Sequence, residues 1–206
     1  EITVTLYKDG FLGVVDNGRG MPVDIHPEHG VSGVELILAT LHAGGKFNQD
    51  NYQYSGGLHG VGVAVVNALS KEFEVYVKRD GRQHKITFNN GNKASDLEEI
   101  GRVGKSDRGT EIRFLPDEQY FDTVRIRKKA LSDLLKAKAI LCAGLRITLI
   151  DEAAKEEEAR EQEWCYESGV EEYLYDSLEP IDHLPKEIIL GEYEGEHEEV
   201  IWGLAW

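Results

Sequence analysis

An α+β fold, with helices laid over one face of a mixed and mostly antiparallel sheet, is what this sequence predicts, on three observations. Short stretches alternate apolar and polar residues, tight Asp-Gly and Asn-Gly turns separate several of them, and helical stretches are few and irregularly placed. No regular strand-helix-strand rhythm and no internal repeat runs through the chain.

The first element is "EITVTLYKDG", where Ile2, Val4 and Leu6 face one way. Asp9-Gly10 tolerates positive φ and joins strand 2–8 to strand 11–16. In "GVELILATLHA" (33–43), Val34, Ile37, Leu38 and Leu41 share one helical face, and residues 58–69 form a second helix led by glycines. Asp80-Gly81 then joins "FEVYVKR" to "RQHKITF", and Asn90-Gly91 closes the next turn. Strands 111–115, 145–151 and 199–206 complete the set, with helices at 123–142 and 169–178 between them. The acidic run "DEAAKEEEAREQE" (151–163) is expected to be an exposed loop or a frayed helix.

With 206 residues, 41% of them apolar and 30% charged, the chain can bury a core and is not disordered. No apolar run reaches the roughly 18 residues of a membrane span and no signal peptide opens the chain, so a soluble cytoplasmic protein is expected. Cys142 and Cys165 lack metal-type spacing and are expected to be buried free thiols, without disulfide or zinc. A formal charge of −15 argues against grip on a nucleic-acid backbone. The basic stretch "RIRKKALSDLLKAKA" (125–139) reads more readily as a solvated helix face than as a DNA contact. There is no initiator Met, and the chain opens directly on a strand, as if cut inside a fold.

Two motifs carry chemistry. "SGGLHGVGVAVVNALS" (55–70) sets Gly56, Gly57, Gly60 and Gly62 at a helix start, where unpaired N–H groups and the helix dipole attract anions. It is not a P-loop, because Gly44-Gly45-Lys46 runs on to Phe47 with Thr40 in the place of the first glycine. Nor is it a dinucleotide fingerprint, since Gly60-Val61-Gly62 continues to Val65. A phosphate cradle of another kind and a helix start that needs close packing both fit. In "VVDNGRGMP" (14–22) a strand ends on Asp16 and turns through Gly18 and Gly20. That carboxylate suits an exocyclic amine at the mouth of an apolar pocket, and equally an Asn-Gly turn.

The combination of "DNGRGMP", "LHAGGKF", "GGLHGVG" and "RGTEIRF" (108–114) resembles the GHKL ATPase superfamily, and within it the B subunits of bacterial type II topoisomerases. Hsp90, MutL and sensor histidine kinases fit less well. Met21, "KAKAILCAGLRITLIDE" and "EQEWCYESGVEEYL" resemble the topoisomerase IV branch more than the gyrase branch, which stands as the alternative.

The resemblance implies a Bergerat-type two-layer sandwich over residues 1–206, the N-terminal ATPase subdomain. It implies ATP with Mg²⁺ as ligands. Asp16 would accept a hydrogen bond from adenine N6, with Thr110 supporting it through a water. Gly20 and Met21 would wall the purine, with Ile37 and Ile112 as apolar lining. Gly57, Leu58, His59, Gly60, Val61 and Gly62 would wrap the phosphates, Lys46 would reach the terminal phosphate, and Tyr52 would touch the nucleotide. Arg19, Pro22 and Arg79 would form the lip where aminocoumarin inhibitors bind.

It further implies a general-base Glu and a magnesium-binding Asn on a helix preceding Glu1, and a lysine of a transducer domain following Trp206. The chain alone is therefore expected to bind nucleotide with little or no turnover. The implied partners are a second copy of the same protein in an ATP-dependent dimer, the topoisomerase IV A protein, which cuts DNA, and DNA held by the intact enzyme. A nucleotide-switched dimerisation module without turnover is the other expectation.

Overall fold

Ile2, Val4 and Leu6 alternate along β1 (Ile2–Leu6), and the turn through Gly10, at φ +90°, returns the chain as β2 (Leu12–Asp16). The computed structural model describes residues 1–40, 61–156, 160–179, 182–195 and 199–206. Helix α1 (Gly33–Ala39) starts where the Ser32 hydroxyl accepts the Glu35 N–H at 3.3 Å. Helix α2 (Gly62–Ala68) follows, capped by Val61 without a side-chain bond; the part of the expected 58–69 helix before residue 61 lies outside the described residues.

The next elements are β3 (Ser70–Arg79), β4 (Arg82–Asn89), β5 (Asn92–Lys93), β6 (Glu98–Arg102) and β7 (Gly109–Pro116). Asp80 and Gly81 both have positive φ, as do Asn90 and Gly91, so both expected turns form. Helix α3 (Lys128–Leu141) starts later than the expected 123, because the Thr123 hydroxyl takes the Arg125 N–H at 3.2 Å and offers that backbone a turn instead. Then come β8 (Ile147–Asp151), β9 (Glu161–Trp164), α4 (Val170–Leu178), β10 (Ile189–Glu194) and β11 (Glu199–Leu204).

Eight strands run in the order β5-β4-β3-β7-β2-β1-β8-β9, with β6 also paired to β4. Every pairing among them is antiparallel except β1 with β8. The registers align two apolar rungs across one face: Phe88, Phe73, Phe114, Leu12 and Leu6 form one, and Ile86, Val75, Ile112, Val14, Val4 and Leu149 the other. Val34 and Leu38 of α1 cover the β3–β4 half, while Leu131 and Leu135 of α3 cover β1 and β8. Phe114 belongs to both clusters and stacks on Phe73 with centroids 6.1 Å apart. This two-layer arrangement is the expected α+β sandwich with helices on one face.

Three expectations are corrected. The strand ending the chain does not join the main sheet; β11 pairs with β10 in a separate hairpin, which α4 contacts. The acidic run is partly strand, since Glu161–Trp164 pairs with β8 and half-buries Gln162 and Trp164 while Glu161 and Glu163 face outward. Cys142 and Cys165 are free thiols but only half-buried.

Candidate functional site

A third rung on the helix-covered face breaks the apolar pattern. It runs His84, Val77, Thr110, then Ile2 and Ile147, and continuing the β2–β7 register by one residue sets Asp16 across from Thr110. Thr110 is buried and Asp16 half-buried, so two polar side chains stand beside each other on a face otherwise built for packing. Buried polar groups need partners. Thr110 Oγ1 accepts the Met21 N–H at 3.2 Å, and Asp16 Oδ1 accepts the Gly18 N–H at 2.7 Å. Asp16 Oδ2 accepts no hydrogen bond from the described residues.

The turn after Asp16 presses closely on the sheet edge. A methyl on Gly20, at φ +75°, would sit 2.8 Å from the Lys78 carbonyl oxygen, and one on Gly109, at φ +137°, would sit 1.9 Å from that of Asp16. Only glycine allows both approaches. The Arg79 guanidinium donates to the Gly20 carbonyl at 3.2 Å and so is fixed beside this turn. Pro22 packs against the start of α1, where a Cβ on Gly33 would meet its ring at 2.7 Å. Met21 and Val23 then join the cluster of Val34 and Leu38.

The expected site residues divide accordingly. Asp16, Gly20, Met21, Thr110 and Ile112 fall on β2, its following turn and β7, and Ile37 lies half-buried on α1. Pro22 and Arg79 flank the same turn, and Arg19 is exposed within it. Val61 caps α2 and Gly62 opens it. Lys46, Tyr52, Gly57, Leu58, His59 and Gly60 lie outside the described residues. Sequence reasoning missed Gly109 as a site residue, although "RGTEIRF" contains it; its need shows only once β2 and β7 are paired. A cavity of about 180 Å³ opens behind this rung, where Thr3, Val15, Tyr76, Lys78 and Glu111 line the face of the sheet opposite the apolar rungs.

Comparison with known proteins gives the arrangement its relatives. Residues 1–119 match the family described as histidine kinase-, DNA gyrase B-, and HSP90-like ATPase. Over 206 residues the chain is 51% identical to the B subunit of DNA topoisomerase 4 from Salmonella typhimurium strain LT2, covering 100% of this chain and 32% of that protein. It is 44% identical over 207 residues to the B subunit of DNA gyrase from Synechocystis, covering 100% of this chain and 19% of that one. Among solved structures, the topoisomerase IV ATP-binding domain of Francisella tularensis, in complex with a small-molecule inhibitor, superposes with a TM-score of 0.75 at 44% identity, over 94% of this chain and 49% of that one. The 43K ATPase domain of Thermus thermophilus gyrase B, in complex with an aminocoumarin, gives 0.81 at 33% identity, over 98% and 50%. The chain thus spans about a third of the length of the topoisomerase 4 relatives it matches.

Proposed function

The chain belongs to the histidine kinase-, DNA gyrase B-, and HSP90-like ATPase family, and on that premise we propose that it is the ATP-binding domain of a topoisomerase IV B subunit. The branch is chosen on the 51% identity to the topoisomerase 4 relative, against 44% to the gyrase one. The observation that carries the nucleotide reading is the Asp16–Thr110 pair set at the end of a largely apolar face.

In this reading the base enters beside β2 and β7, and the Asp16 carboxylate accepts the N6 hydrogen bond with the oxygen that Gly18 leaves open. Thr110 already holds the Met21 amide, so one side chain both supports the base through a water and fixes the wall the base lies on. Gly20 keeps that wall close, while Ile112 and Ile37 supply apolar surface. Arg79, anchored to the Gly20 carbonyl, with Arg19 and Pro22, forms the lip that aminocoumarins would touch. Backbone N–H groups of Gly57 to Gly62 wrap the phosphates, Lys46 meets the terminal one, and Tyr52 contacts the nucleotide.

Magnesium does not fit the described part of this pocket. The one carboxylate on the polar rung, Asp16, accepts the Gly18 N–H and has an apolar rung beside it, whereas magnesium demands an octahedral shell of oxygens. It is therefore assigned to none of the described residues. In the whole enzyme, ATP binding would join two copies of this domain into a gate for a DNA duplex, hydrolysis would reset it, and the topoisomerase IV A protein would cut DNA. A cytoplasmic enzyme is consistent with this role, and a charge of −15 suits a domain that leaves the grip on DNA to other parts.

The test is calorimetric titration with ADP and a non-hydrolysable ATP analogue, on the chain and on Asp16→Asn. Losing a hydrogen bond to a charged acceptor costs about 1.5–3 kcal/mol, or roughly 10- to 150-fold in affinity. Unchanged affinity in the variant would reject the base-recognition role.

A further inference from the structure

The loop between the Met21–Pro22 wall and α1 holds "HPEH", residues 26–29, which the nucleotide reading leaves unused. The cysteine spacing predicts no zinc; these residues bring a different donor set together. One ligand atom from each of His26, Glu28 and His29 lies within 4.8 Å of the others, and the two imidazole rings stand 4.9 Å apart. The loop itself is built. His26 N–H donates to the Val31 carbonyl at 2.8 Å, Gly30 N–H donates to that of His26 at 2.9 Å, and Ile25 bridges to Ser32. Gly30, at φ +69°, makes the reversal that returns Val31 to pair with His26.

We propose that this turn binds one zinc-class divalent ion through His26, Glu28 and His29. Two imidazoles and a carboxylate are a borderline-soft donor set that suits zinc and leaves a coordination position open to water. Metal–ligand bonds of about 2.0–2.2 Å put tetrahedral donors roughly 3.3–3.5 Å apart, so the side chains close by about 1.5 Å, a movement that exposed Glu28 and His29 side chains can make. His26 Nδ1 accepts the Glu28 N–H at 3.3 Å, and metal binding at either ring nitrogen gives up that long bond. The net charge of −15 favours a cation. The ion would tie the loop that joins the wall at Met21 to the helix bearing Ile37.

The test is titration of the full untagged chain with Zn²⁺ in excess Mg²⁺, with the absorption spectrum of Co²⁺ as a second readout of geometry. Expected are one ion per chain and at least about tenfold weaker binding in each of His26→Ala and His29→Ala, with melting of the metal-free chain unchanged. A Cys142→Ser/Cys165→Ser double variant should bind as the parent does. Absence of saturable binding, binding that survives both histidine substitutions, or binding lost with the cysteines would each overturn the proposal.

Discussion

Gly109→Ala tests whether the junction of β2 and β7 is as tight as the polar rung requires. The new methyl would stand 1.9 Å from the Asp16 carbonyl oxygen and 3.0 Å from the Asn17 Cα, both backbone atoms that cannot swing aside as a side-chain tip could. Relief needs a backbone retreat of about 1 Å, at a residue whose φ of +137° is one that L side chains rarely adopt. The dihedral strain is worth about 1–3 kcal/mol, and opening the end of the ladder loses one or two hydrogen bonds at about 0.5–1.5 kcal/mol each. A destabilisation near 3 kcal/mol follows, which lowers the melting temperature by about 6–12 °C for a domain of this size.

Gly101→Ala on β6 is the control, because its methyl meets nothing within 4 Å in the same sheet. Urea melts of both variants, read by circular dichroism, separate a local clash from a general dislike of alanine in strands. A Gly109→Ala unfolding free energy within about 0.5 kcal/mol of that of Gly101→Ala would refute the reasoning.

Two further results follow from the same geometry. Thr110→Val removes the acceptor of the Met21 N–H and should cost about 1–3 kcal/mol in a thermal melt while weakening ADP binding at least about tenfold; unchanged binding would detach Thr110 from the pocket. Burial pushes the Asp151 carboxyl upward, but the hydrogen bonds from the Lys128 ammonium, at 3.0 Å, and the N–H groups of Ala153 and Ala154 outweigh it and hold it below its ordinary 3.8. The unfolded chain therefore binds this proton more readily, so Asp151 stabilises the fold above the ordinary carboxylate range and the contribution disappears as pH falls through the folded value. Urea midpoints of the parent and Asp151→Asn should differ at about pH 6 and draw together as pH falls below 3.8, and a constant gap would contradict the assignment.

Much of the fold was legible because local rules decide it. The Asp80-Gly81 and Asn90-Gly91 turns, and the alternation of Val75, Val77, Ile86 and Phe88, name their strands before any pairing is known. What escaped was set by tertiary contact. Gln162 and Trp164 stand two positions apart at the end of an acidic run whose charges hide the strand period, and only pairing with Leu149 and Ile147 reveals β9. Exposed β6, "EEIGR", lacks an apolar face to announce it. For the pocket, resemblance named Asp16 and Thr110, residues 94 positions apart; residue chemistry alone left Asp16 as a turn or a ligand group. Sheet register brought them together, and the requirement for Gly109 followed from that register alone.

The parallel pairing of β1 with β8 has a consequence for biosynthesis. Ile2, Val4 and Leu6 are made well before the strand that pairs with them, which ends at Asp151. At a translation rate of 5–20 residues per second, the free edge of β1 waits roughly 7–30 s for its neighbour. During that interval it can pair with the edge of another nascent chain, so the yield of this domain depends on how fast ribosomes complete β8 as well as on the stability of the finished sheet.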